Sequence, residues 1–193
     1  GNNTDGRTIT GASFDPDLAW VKNRSVSAGH VLADSVRGTN KNLYSNLTDA
    51  ETNPTSGAAG GGIGSVTTGG IILEQGTVDM ALVNATGSNY VDWLWKANGA
   101  AVSNTDGTIT SQVSANVEAG FSIVTYTGTL SSAGTATVGH GLGKAPSLII
   151  SKSRNNVGGD SGQLVARHKD LASVNHYLRL NTTDTPVNSS GNG

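Results

Sequence analysis

Cysteine is absent from the chain. No disulfide framework and no cysteine-ligated metal knot can form, and the redox compartment is left open. Charge is sparse as well: 13% of residues are charged, and the formal net charge is −2. A nucleic-acid groove needs a basic stripe to displace phosphate counterions. Here Lys and Arg are scattered, so nucleic acid is not an expected partner. No apolar run approaches the roughly 20 residues of a membrane span, and no leader pattern is visible. Membrane insertion is therefore not expected. Missing too are HExxH, G-x-S-x-G and the D-x-D-x-D-G calcium loop, which removes the common signatures of zinc proteases, hydrolase elbows and calcium hands.

What is abundant is glycine, with 27 residues, accompanied by Ser, Thr and Asn. Hydrophobic residues make up only 35% of the chain. Turn formers and β-branched residues dominate, and helical spacing is convincing nowhere. Apolar residues recur with a period of two instead. On Tyr90–Ala97 one face carries Val91, Trp93, Trp95 and Ala97, and the other carries Tyr90, Asp92, Leu94 and Lys96. Leu18–Lys22, Phe121–Gly128, Ser147–Ser153 and Tyr177–Thr182 read similarly. This density of short strands predicts an all-β fold, an antiparallel sandwich or jelly-roll. Asp5-Gly6 and Asp106-Gly107 are expected in tight hairpins. Short helical turns are the alternative at Arg167–Leu171 and Thr48–Thr52. Thr55–Gly64 reads as a flexible loop, or as backbone packed closely against a neighbour.

Two segments resemble each other. FDPDLAWVKNR (Phe14–Arg24) parallels KAPSLIISKSR (Lys144–Arg154), setting Pro16 on Pro146 and Arg24 on Arg154. HVLADSV parallels QLVARHK, and TNKNLYSNLTD parallels VNHYLRLNTTD, aligning Asn46 with Asn181. This order of blocks predicts a first β-unit over 1–97, a polar linker over 98–111 and a second unit over 112–193. The strand Phe121–Gly128 precedes the second unit's proline and has no counterpart after Gly1. The first unit is thus expected to miss its opening strand, and the second to be incomplete at its C-terminal end. The chain opens on Gly rather than Met, which suggests processing or a longer parent. At least one sheet should be completed by Phe121–Gly128 or by a neighbouring chain.

The blocks FDPDLAWVKNR, HVLADSVRG, NYVDWLWKANGAAVSNTDGTITSQVSAN, GFSIVTYTG and VGHGLGKAPSLIISKSR resemble a repeated domain of uncharacterised function. It occurs in tail-fibre-like and other virion structural proteins of tailed bacteriophages, many of them marine. Where relatives place a small residue and Cys in the Trp-rich strand, this chain has Asp92 and Leu94. The resemblance implies a location in the extracellular virion and a structural or adhesive role, as a tail fibre, appendage or head-decoration module. The implied partners are copies of the chain and neighbouring virion proteins, with a host-surface glycan as the candidate ligand. Symmetry of such appendages makes a homotrimer the default by analogy. No catalytic residue is carried over, and an enzyme is not expected.

Few residues invite chemistry. His30, His140, His168 and His176 are the only histidines. None forms a helical ligand pair, although His168 and His176 could meet in space. His140, within Gly139–Gly143, is read as bonding a tight loop's backbone rather than as a general base. Asp15 and Asp17 flank Pro16 and could contribute to a calcium site, but the remaining ligands are missing. Gly60–Gly64 lacks the Lys-Ser/Thr of a phosphate loop. Asn46 and Asn181 are read as turn-bonding side chains. Trp93, Trp95 and His140 remain as candidate ligand-binding residues. For the two tryptophans a buried core is preferred over a sugar platform, and the same preference covers Trp20. No cofactor and no metal are expected. The rival function is a carbohydrate-binding sandwich module.

Overall fold

The computed structural model describes residues 1–57, 59–129, 134–156 and 162–188. Among them are fourteen strands and no helix, arranged in four antiparallel sheets. No helix is therefore long and apolar enough to cross a membrane. The all-β expectation holds; of the two short turns weighed, the one near Arg167–Leu171 closes as a single turn, Leu171 N donating to His168 O at 3.1 Å, and the one at Thr48–Thr52 does not form. Arg167 and His168 lie in a strand, and Thr52 forms a β-bridge with Asn42.

The first half contains β1 (Arg7–Thr10), β2 (Leu18–Asn23), β3 (Val31–Asp34), β4 (Leu43–Tyr44), β5 (Gly62–Thr67), β6 (Gly70–Glu74) and β7 (Tyr90–Trp95). One sheet has the order β1-β6-β5 and the other β4-β3-β2-β7. Their inner faces share one core. Ala19, Val21, Val31 and Ala33 meet Ile63, Ile71 and Leu73, while Met80 and Val83 fill the space from the β6–β7 connection. Burying each of the larger side chains contributes roughly 1.5–3 kcal/mol.

The two lateral openings of this sandwich differ. On the β4/β5 side the opening is stapled. Asn42 Nδ2 donates to Ile63 O at 2.9 Å, and Ile63 N donates to Asn42 Oδ1 at 3.0 Å. Asn40 N adds a bond to Gly64 O at 2.6 Å. The edge of β5 is thereby satisfied without another strand. Of the Gly-rich segment Thr55–Gly64, only Gly60–Gly64 is closely packed, buried backbone, while Thr55–Gly57 and Ala59 are exposed. On the opposite side β1 and β7 are both terminal strands, and nothing pairs with their outer edges among the described residues.

The second half contains β8 (Val102–Asn104), β9 (Ser111–Asn116), β10 (Phe121–Tyr126), β11 (Leu148–Ser151), β12 (Val165–His168), β13 (His176–Arg179) and β14 (Val187–Asn188). Its sheets have the orders β10-β9-β8 and β11-β12-β13-β14. Residues 98–111 hold β8 and the buried Ile109. Asp17 ties this stretch to the first half. Its carboxylate accepts from Ala97 N at 2.8 Å, Gly99 N at 3.3 Å and Ser35 Oγ at 2.7 Å. β10 pairs with β9 alone, so Phe121–Gly128 completes neither sheet of the first half.

Gly6 has a φ of 65°, as its turn into β1 requires. Gly107 is needed for a different reason than the hairpin expected there. It has no positive φ, but a Cβ would stand 2.3 Å from Thr137 O. The backbone around Thr137 is simply too close for a side chain.

The β2–β3–β4 and β11–β12–β13 meanders share two bonds. His30 N donates to Asn46 Oδ1 at 2.7 Å, and Leu164 N donates to Asn181 Oδ1 at 3.2 Å. Ser45 N donates to His30 O, and Leu180 N to Leu164 O. The donor Leu164 lies one place beyond Gln163, which the aligned blocks set against His30.

Candidate binding surface

The period of two on β2 and β7 decides which side chains reach solvent. Ala19, Val21 and Asn23 point into the sandwich, so Trp20 must point out. Tyr90 and Leu94 pack against the core, which turns Trp93 and Trp95 outward with Trp20. The core expectation for these three indoles is therefore corrected. Ala19, Val21, Val31 and Ala33 fill the inner face with Tyr44, Tyr90 and Leu94, and the three indoles lie on the opposite face of the sheet.

Trp20 and Trp93 are direct cross-strand partners. Their ring centroids are 5.7 Å apart with planes tilted by 56°. Trp95 lies 6.5 Å from Trp20 and stacks on Phe121 at 6.4 Å and 21°. The result is an aromatic strip, Trp93–Trp20–Trp95–Phe121, spanning the first half and β10. Trp93 is 45% exposed, whereas Trp20 and Trp95 are half-buried. The Trp20 Nε1–H is buried without an acceptor among the described residues. His140 does not join the strip. Its Nδ1 accepts from Leu142 N at 3.2 Å, which matches the loop-bonding role.

The other surface feature lies behind β7. Between β1 and β7 runs an open groove of about 580 Å³, lined by Ile9, Phe14, Ile71, Tyr90, Asp92 and Leu94 among others. Asp92 Oδ1 is buried there without a hydrogen-bond partner among the described residues. Burial alone pushes its carboxyl above the usual range. Periodicity placed Asp92 opposite the tryptophans, but the groove arises from the free β1 and β7 edges, which only the strand order reveals.

The remaining candidates are engaged locally. Asp15 Oδ1 accepts from Gly69 N at 3.0 Å, and Asp17 is engaged by the Ala97 and Gly99 amides and the Ser35 hydroxyl, so the two carboxylates do not converge on a cation. His168 Nδ1 accepts from Asp170 N, and His176 Nδ1 bonds Ser173 Oγ at 2.8 Å. Each ring is thus turned to its own loop. Glu74 is pushed above its usual range by burial and by the adjacent Asp5, which holds Gln75 N. No group of three or more metal-ligating side chains is present among the described residues.

A family model, Domain of unknown function (DUF7483), matches residues 1–192. The chain belongs to this family. No curated protein and no solved structure matches it. The DUF7483 match takes in both halves, and hence the aromatic strip and the groove together.

Proposed function

We propose that this DUF7483 chain is a structural module of a tailed-phage virion, acting in particle assembly through contacts with copies of itself and with neighbouring virion proteins. The observation that carries the assembly reading is β11. Leu148, Ile149 and Ile150 are 54%, 49% and 47% exposed on a strand whose outer edge no strand pairs with among the described residues. An uncovered apolar edge is a template for pairing with another chain. The virion location and the trimer rest on the sequence blocks and on analogy. The matched Asn46 and Asn181 bonds support two related segments. Sedimentation of the purified chain over a wide concentration range is the test. A mass rising to a defined oligomer is expected, and a monomer throughout would sink the assembly reading. Immunogold labelling of particles from a phage encoding the chain tests the location.

A second reading is favoured by the exposed Trp93. The strip offers π-faces to sugar rings, as a carbohydrate-binding module would. Trp93→Ala is expected to change stability by no more than about 1 kcal/mol, because the ring is half-exposed. It should reduce retention on a host-glycan array at least tenfold. Undiminished glycan binding by that variant would remove the platform.

A further inference from the structure

The groove and the bare strand are complementary, and they lie by opposite edges of the β4-β3-β2-β7 sheet. We infer that β11 of one copy adds as a strand to the β1/β7 groove of a second copy, joining chains head to tail. The inference rests on the assembly reading above and specifies its surface.

Four features fit this pairing. First, the acceptor has two sheet edges, unpaired among the described residues, flanking an apolar trough that contains Ile9, Phe14, Ile71 and Leu94. Asn84 clasps only the chain leading into β1, accepting from Asn2 N and donating to Thr4 O; along Ile9–Ala12 no side chain bridges the opening as Asn42 does at the β5 edge, among the described residues. Second, the donor carries successive apolar residues, Leu148, Ile149 and Ile150. A strand apolar on both faces suits burial on both faces. In its own sheet those positions remain about half in water. Third, the charges match. Asp92 in the groove lacks a partner, and the exposed Lys144, on the segment leading into β11, has no ion-pair partner among the described residues. Fourth, a chain cannot satisfy its own groove. Just beyond β11, Lys152 Nζ donates to Leu47 O at 2.8 Å and Arg154 pairs with Glu51 at 2.8 Å. Those contacts hold β11 beside the connection that follows β4, the far edge of the sheet that ends in β7. Three strand spacings of about 4.8 Å separate the two edges.

Such a contact is heterologous: different patches meet, so each chain keeps one donor and one acceptor. Repetition gives a closed ring if the rotation closes, and a fibre if it does not.

The absence of native cysteine makes cross-linking clean. Chains carrying Thr10→Cys in the groove and chains carrying Ile149→Cys on β11 are mixed and oxidised. A disulfide between the two variants is expected, with neither variant cross-linking to itself. Separately, Ile149→Lys should weaken self-association by on the order of 100-fold, since it replaces a buried apolar side chain with a charge. Because Ile149 is half-exposed in the single chain, its unfolding midpoint should barely move, which controls for folding. An oligomer that survives Ile149→Lys, or cross-linking of Ile149→Cys chains to one another, would overturn the strand-addition site while leaving assembly intact. A wild-type monomer at every concentration would overturn both.

Discussion

Replacing Asn42 by Ala is expected to lower the unfolding free energy by about 3–4 kcal/mol, because it leaves two buried backbone groups unbonded at once. The Asn42 side chain is fully buried and, among the described residues, is the one side chain that bonds both the N–H and the C=O of Ile63. Its own backbone is held separately by reciprocal bonds with Thr52, so the deletion isolates the side chain. The register shift between Ile63 and Ser65 lies beside this clasp. Asn42→Asp sharpens the test. An aspartate still accepts from Ile63 N–H but sets a buried charge against Ile63 C=O, so it should be at least as damaging at pH 7. Protonation restores a donor, and part of the loss should return in acid. Urea unfolding with an unchanged slope would measure both effects. A cost under about 1 kcal/mol for Asn42→Ala would mean that water, not Asn42, satisfies this edge.

Asn42 also marks where reading the sequence stopped short. Fold class was legible because a period of two survives even in short strands, and Ala19 and Val21 do point inward as alternation requires. Polarity was the poorer guide. Asn23, Asn42 and Asn84 are fully buried, each bonding backbone across the fold. An Asn-rich sequence reads as turns because isolated Asn favours local bonding. Only the spatial partner distinguishes a turn from a clasp. Size misled in the opposite direction. Trp20, Trp93 and Trp95 were expected in the core, yet the space between the sheets is filled by Ala, Val and Ile with Tyr44, Leu73 and Met80, leaving the indoles outside. The groove was illegible because it depends on which strands end a sheet, and strand order is not a property of local pattern.

Arg37 is the second residue whose loss should be severe. Its guanidinium is 5% exposed and lies 2.5 Å from Asp34 and 3.1 Å from Glu51. It also donates to Lys41 O and Leu32 O. Arg37→Met keeps much of the volume but leaves Asp34 and Glu51 without their shared cation, and roughly 3–5 kcal/mol is the usual cost of such an orphaned charge. The pH dependence gives a check that lost packing alone would not. Burial pushes the Glu51 carboxyl up, but the bonds from Arg154 and Arg37 outweigh it and hold the group below its usual range. A depressed carboxylate stabilises the fold above its unfolded pKa, and that contribution fades as pH falls through the folded value. Removing Arg37 takes away part of what opposes burial and leaves Arg154 as the remaining close partner, so Glu51 should take up its proton at higher pH. The acid limb of the Tm–pH curve should then begin earlier in Arg37→Met than in the native chain. Parallel curves would place Arg37's contribution in packing alone. Arg154, 46% exposed, closes the same network from the second half. Its removal should cost only about 0.5–1 kcal/mol, as a solvated pair does. Its structural effect should be larger than that figure, because Arg154 and Lys152 hold β11 against the connection that follows β4. Faster amide exchange at Glu51, whose N–H donates to Arg154 O, would report that loosening directly.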